Sequence, residues 1–311
     1  MSSRPSAKIA FFLAVTLVLG VASVSSRTLH AKGQQSPPAV AGQPGTAGAG
    51  QQGAPGQPGA PAAAPGRGRG SFREPDPIDF DDRTGYTEMF DGTTLTGWDG
   101  NSDVWKVVDG AIVGNRPVPA DGTPATPFRG TFLVWQGGEP ADFELKLEIK
   151  LEGPTADSGI QFRSSIAPLG PGRAGAPAPD PREAKWNLAG LQFDFNLNST
   201  YVGQIAENLG RGIVVYRGQV VRTEEGKNPR LISELGDRLA LGGYYKHNDW
   251  NQVDLIAHAD TSIGIINGHT MAILIDDDPT KAKSKGLIGL QYSGPAGTKI
   301  SFRNIRIRTI N

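Results

Sequence analysis

The longest regular alternation in the chain runs from Asp142 to Leu151, where Phe143, Leu145, Leu147, Ile149 and Leu151 interleave with Glu144, Lys146, Glu148 and Lys150. A period of two with one apolar and one charged side predicts an antiparallel strand with one face in a core and the other in water. Carboxylates and ammonium groups alternate on the wet side, so it reads as a salt-laced surface and not as a pair of catalytic acids. Similar alternation recurs at Leu191, Phe193, Phe195 and Leu197, and at Val253, Leu255 and Ala257. Ile263 to Ile266 and Thr270 to Ile275 flank Asn267-Gly268, a pair suited to the positive φ angles of a type I′ hairpin turn. In the last apolar run Ile300 and Phe302 occupy even positions and Ile305 and Ile307 odd ones; a β-bulge near Arg303-Asn304 returns all four to one face. Many short strands, frequent Gly, Pro and Asn punctuation and no amphipathic helix predict an all-β fold, a two-sheet antiparallel β-sandwich over residues 83–311.

Upstream of residue 83 this patterning is missing. Arg4 and Lys8 precede an apolar run from Ile9 to Val21, followed by the small residues Ala22, Ser23, Ser25 and Ser26, which predicts a signal peptide over residues 1–31. The run is shorter than a bilayer-spanning helix needs. An uncleaved N-terminal anchor is the alternative, because Ser23-Val24-Ser25 and Leu29-His30-Ala31 compete as cleavage sites. The expected location is periplasmic or secreted. Residues 32–82 are rich in Gly, Pro, Ala and Gln and poor in large apolar side chains, so they cannot offset their ordering entropy and are expected to form a disordered tether. Gly42, Gly45 and Gly48, then Gly53, Gly56 and Gly59, imitate a collagen repeat, but the register breaks between the two sets and the linker reading stands. Ala167 to Pro181 reads as a long Pro/Gly-rich loop inside the folded part.

The chain has no cysteine, which excludes a lipidated cysteine anchor and disulfides and leaves stability to the hydrophobic core. Six of the 31 basic residues and none of the 31 acidic ones precede residue 73. The rest of the chain is therefore mildly acidic, which argues against nucleic acid as a partner.

Where Ile160 and Phe162 point inward, Gln161 and Arg163 point outward; where Leu191, Phe193 and Phe195 point inward, Gln192, Asp194 and Asn196 point outward. Two neighbouring rows of amides, a carboxylate and a guanidinium supply the paired donors and acceptors that sugar hydroxyls need, although polar residues also occupy the wet side of any sheet. Trp250 and Tyr216 are candidates to pack on a pyranose face, as are Trp186 and Tyr245 if their loops fold over the site, whereas Trp98, Trp105 and Trp135 are expected in the core. His30, His247, His258 and His269 show no metal-ligand spacing. No cofactor is evident, and a divalent metal finds no support in the spacing.

A set of short motifs narrows the reading: Phe90-Asp91-Gly92 with Gly97-Trp98, Asp157-Ser158-Gly159-Ile160-Gln161-Phe162-Arg163, Asp249-Trp250-Asn251, Ile266-Asn267-Gly268, Gly289-Leu290-Gln291 and Phe302-Arg303-Asn304-Ile305-Arg306-Ile307. In this order the chain resembles the bacterial 3-keto-disaccharide hydrolase domain family. The resemblance implies a concanavalin A-like jelly roll that carries its ligand on one sheet face. It also implies hydrolysis of 3-keto-disaccharides or other 3-keto-glycosides by proton abstraction at C2, elimination and hydration. It assigns Arg163 to the carbonyl or enolate oxygen, Asp194 to proton transfer, and Gln161, Gln192 and Gln291, with Asn196 beside them, to the sugar hydroxyls. Arg163→Ala and Asp194→Asn are then expected to remove turnover and spare stability. Three departures from the family pattern support the alternative of a non-catalytic carbohydrate-binding module. Gln192-Phe193-Asp194 stands where members commonly carry Glu-x-Gln, Tyr292-Ser293 where a histidine follows, and Gly264-Ile265-Ile266 where a histidine often precedes the turn.

Overall fold

The computed structural model describes residues 74–310 except 78, 124, 126, 127, 129, 154, 171–179, 199 and 200. The expected signal peptide and nearly all of the expected tether lie outside the described residues. In chain order the strands are β1 (Thr87–Glu88), β2 (Trp98–Asp99), β3 (Trp105–Val108), β4 (Ala111–Asn115), β5 (Thr131–Trp135), β6 (Phe143–Glu152), β7 (Asp157–Ile166) and β8 (Leu188–Asn196). They continue as β9 (Ile205–Asn208), β10 (Gly212–Val215), β11 (Gln219–Glu224), β12 (Arg230–Glu234), β13 (Asn251–His258), β14 (Thr261–Ile266), β15 (His269–Asp277), β16 (Leu287–Tyr292) and β17 (Lys299–Thr309). The described residues add a 3-10 helix, Pro181–Trp186, and one short helix, α1 (Arg238–Gly242).

The strands form two sheets and give the two-sheet sandwich that the patterning predicts, in the jelly-roll form that the resemblance implies. One sheet runs β12-β11-β15-β14-β13-β6-β17-β4-β3, with β1 also paired to β17; the other runs β10-β9-β8-β7-β16-β5-β2. Every ladder is antiparallel except β11 with β15, which is parallel. The last two strands are both central: β16 lies between β7 and β5, and β17 between β6 and β4.

The apolar sides of the alternating strands meet in the core. Leu145, Leu147, Ile149, Leu255, Phe193 and Phe195 are fully buried, and the Phe193 and Phe195 rings meet edge to face at 5.2 Å. Burying such side chains contributes roughly 1.5–3 kcal/mol each, which makes the two inward faces the main source of cohesion. Trp98 and Trp105 are buried in this core and Trp135 packs against it. Asn267 and Gly268 both have positive φ in the β14–β15 turn. The ladder of β17 with β6 shifts register between Arg303 and Arg306, with Asn304 at φ 54°, and this bulge carries Ile300, Phe302, Ile305 and Ile307 to the same side.

The outer face of the larger sheet differs from the solvated surface expected for it. Glu144 and Lys146 are buried under a segment just before β1: Asp79 O accepts from Lys146 Nζ at 3.1 Å, Phe80 O accepts from Arg306, and the Tyr86 ring covers Lys146, Arg306 and Arg308. The docked segment therefore starts ahead of residue 83. Further along the same face Glu148 takes two hydrogen bonds from Arg303, and salt pairing persists there. The outer face of the smaller sheet is divided. Phe132, Val134, Leu188 and Trp186 form a small apolar cluster where the 3-10 helix packs, and the polar row of β7, β8 and β16 occupies the rest.

Candidate active site

The register of β7 against β8 builds the floor of the site. Gln161 pairs with Gln192, Gly159 with Asp194 and Asp157 with Asn196, while Gly289 of β16 pairs with Gln161 on the other side. Since the intervening Ile160, Phe162, Phe193 and Phe195 fill the core, these polar side chains share the outer face. Gly159 leaves a notch there: a Cβ at this position would lie 2.2 Å from Gln192 Nε2, so only glycine lets the Gln192 side chain lie across β7. Gln192 then reaches β16, where its Nε2 donates to Gln291 Oε1 at 2.8 Å, and its Oε1 accepts from Gln161 Nε2 at 2.8 Å.

Above this floor is a cleft of about 420 Å³ lined by residues of β7 to β10 and β16 and the turns between them. Asp157, Gln192, Asp194, Gln204, Glu207 and Gln291 supply its polar groups, and Tyr201, Leu209 and Ile213 line it with apolar surface. The Tyr201, Leu209 and Ile213 side chains stay substantially exposed, as a surface awaiting the C–H face of a sugar would.

Asp194 is the most perturbed group in the cleft. Burial raises its pKa to about 7; Asp157 nearby adds to the rise, and the amides of Gln204 and Gln192 oppose it. Gln204 Nε2 donates to Asp194 Oδ2 at 2.8 Å, and the backbone N–H of Asp194 donates to Gln204 O. A carboxylate of this affinity can take and release a proton near neutrality. The pKa of Asp157 is also raised by burial, against a 3.0 Å hydrogen bond from Asn196 Nδ2. Glu207 is held by Arg211, which also forks onto Asp276 of β15 at 2.8 and 2.7 Å and so ties the cleft wall to the larger sheet.

Of the sequence candidates, the structure brings Asp194, Gln192 and Gln291 together in the cleft, with Gln161 buried beneath Gln192 and Asn196 bonded to the lining residue Asp157. Arg163 is a correction. A bulge between Phe162 and Ser165 and a φ of 46° at Arg163 turn its side chain off the polar row. Its guanidinium is buried, donating to Ala141 O at 3.3 and 3.1 Å, to Ala259 O at 2.7 Å and to Asp142 Oδ1 at 3.1 Å. It therefore clamps β7 to two turns of the larger sheet. Trp250 is a second correction, since it lies between Lys150 and Arg303 on the outer face of the larger sheet, where charged side chains prefer its ring to water. Tyr216 stacks under Arg238 in the β10–β11 turn and does not line the cleft. Trp186 and Tyr245 are buried in packing.

Residues the alternation argument missed are Gln204, Glu207 and Tyr201. They come from β9 and its flanking turns, where the strand is too short to show a period. Asp157 was visible in the motif and shares the parity of Gly159 and Gln161. Among the described residues no group of three His, Asp or Glu side chains is placed to hold a metal ion.

A sequence model of the family described as 3-keto-alpha-glucoside-1,2-lyase-like domain matches residues 85–308. No curated protein matches the sequence. Among solved structures, the chain is similar to a candidate glycosyl hydrolase from Parabacteroides distasonis, with 15% identity, 73% of this chain and 95% of that one covered and a TM-score of 0.43. It is also similar to a carbohydrate-binding module from Bacillus subtilis, with 13% identity, 70% and 97% covered and a TM-score of 0.40.

Proposed function

Because the chain belongs to the family of 3-keto-alpha-glucoside-1,2-lyase-like domains, we propose that its cleft cleaves 3-keto-glycosides by elimination across C1 and C2, with Asp194 as the base. The observation that carries the reading is a half-buried carboxyl with a pKa of about 7 set among amides that can hold sugar hydroxyls. A ketone at C3 acidifies the C2 hydrogen, so a base of this strength suffices where an unactivated glycoside would need far more. Asp194 takes the C2 proton and the C–H pair forms an enolate. The charge then returns to make C1=C2, the glycosidic oxygen leaves with its bonding pair, and it takes a proton from water at the open mouth of the cleft. Addition of water across C1=C2 completes a net hydrolysis. The leader expected at residues 1–31 supports placing this activity outside the cytoplasm, which N-terminal sequencing of the native protein checks.

The purified protein mixed with a 3-keto-α-glucoside tests the reading. The elimination product carries a conjugated C1=C2–C3=O system that absorbs in the ultraviolet, and its appearance should rise with pH through an apparent pKa near 7 as Asp194 ionises. A wild-type protein that leaves the substrate intact at pH 8 sinks the proposal. A second reading, a carbohydrate-binding module, is favoured by the withdrawal of Arg163 from the cleft and by the absence of histidine among its described lining residues. Saccharide binding by calorimetry without turnover would select it.

A further inference from the structure

With Arg163 committed elsewhere, the charge that develops on the C3 oxygen needs another partner. The donors around the cleft are largely engaged: Gln204 Nε2 by Asp194, Asn208 Nδ2 by Leu188 O, Asn196 Nδ2 by Asp157, and Arg211 by Glu207 and Asp276. One is not. Ser164 Oγ lies 2.7 Å from Gln161 Oε1, Gln161 Nε2 donates to Gln192 Oε1, and Gln192 Nε2 donates to Gln291 Oε1, so four side chains run head to tail from the buried end of β7 to β16.

The direction of this chain is set at Gln192. Its Nε2 lies over Gly159, the register partner of Asp194, and an ionised carboxylate only accepts, so the end of Gln192 on that side must be NH₂. Its Oε1 then faces Gln161, which must donate, and Gln291 must accept. Reversing any single amide would set donor against donor or acceptor against acceptor in a buried row and leave desolvated polar groups unpaired. The dipoles therefore align, each bond strengthening the next by about 10–30%. The chain ends on Gln291 Nε2, which finds no acceptor among the described residues and belongs to a side chain lining the cleft.

We propose that Gln291 Nε2 is the donor that holds the C3 oxygen of the sugar as the enolate forms, and that Ser164, Gln161 and Gln192 are positioning residues that keep it a donor. This rests on the elimination reading above. As Asp194 takes the C2 proton, the C–H pair moves into C2=C3, the oxygen gains charge and its hydrogen bond from Gln291 shortens. The bond is strongest in the transition state and weaker to the ketone, which is what accelerates a step instead of merely tightening binding. No oxidant, reductant or further reactant enters.

The test compares wild-type protein, Gln291→Met, Gln291→Glu and Ser164→Ala on a 3-keto-α-glucoside, with thermal melts alongside. Gln291→Glu keeps the acceptor for Gln192 and replaces the terminal donor with an acceptor, so it remains informative if Gln291→Met fails to fold. Both Gln291 variants should lose about 10²–10³ in kcat with KM within a few-fold. Ser164→Ala should lower kcat about 2–5-fold with KM unchanged, because it depolarises the chain without touching substrate. An active wild type with either folded Gln291 variant within threefold of it in kcat overturns this inference alone. An inactive wild type overturns the elimination reading and this inference with it.

Discussion

Arg163→Ala and Asp194→Asn, drawn from neighbouring strands, should fail in opposite ways. Arg163 satisfies two turn carbonyls and Asp142 from a buried position, so its truncation strands those acceptors and should cost about 3 kcal/mol, read as a lower midpoint in urea unfolding. This reverses the sequence expectation that the substitution spares the fold. Asp194→Asn should instead stabilise the protein at pH 8. The carboxyl pKa is raised from 3.8 to about 7 on folding, so the native state binds more protons in that window. Its favourable contribution is fully present below about pH 4 and lost as pH rises through 7. The neutral amide escapes that loss, and the variant should gain on the order of 4 kcal/mol at pH 8 and nothing at pH 4. Asp254, pushed up to about 7 by burial and by Glu144, titrates in both proteins and cancels in the difference. Equal stability of the two proteins at pH 8 would show that the Asp194 carboxyl is not desolvated.

At the scale of the strand, one glycine sets the site. Gly159→Ala drives a methyl into the far half of the Gln192 side chain, which can swing away, so the strand should survive with a loss of about 1 kcal/mol while turnover falls at least tenfold. Melting curves and rates measured together check this, and an unchanged rate would mean that the crossing of Gln192 over β7 does not matter. Strands of this kind were the legible part of the sequence. The period of two in β6 and β8 announced which side chains fill the core, the Asn267-Gly268 turn followed from a residue pair that tolerates positive φ, and the Asn304 bulge followed from parity. Parity also found Gln161, Gln192 and Asp194. It failed at Arg163 because a bulge breaks parity, and nothing local to residues 162–165 in the sequence marks that bulge. It was silent on Tyr201, Gln204 and Glu207 because a four-residue strand and its turns have no period to read. Trp250 was misplaced for a third reason, since an aromatic suited to a sugar is equally suited to a pair of cations on the opposite sheet.

For the whole molecule, the segment from Asp79 to Tyr86 acts as a cover over Glu144, Lys146 and Arg306. A chain beginning at residue 74 should therefore unfold cooperatively with full stability. One beginning at residue 87 should lose about 2–3 kcal/mol as buried charges lose their carbonyl partners. Denaturant midpoints of the two lengths check this, and equal midpoints would make the cover ornamental. The placement of β16 and β17 at the middle of their sheets bears on how the molecule is made. Ribosomal synthesis delivers β5 and β7, and likewise β4 and β6, long before the strands that must lie between them exist. Until residues 287–309 leave the exit tunnel, both half-built sheets hold open edges around an unfilled slot. Each such edge can capture a strand from another nascent chain. Folding must then wait on contacts between β17 and β6 that span some 150 residues of chain, the arrangement that slows barrier crossing most. Gln291 arrives on β16 as one of those closing strands, so the candidate cleft and the closed sandwich come into being in the same late event.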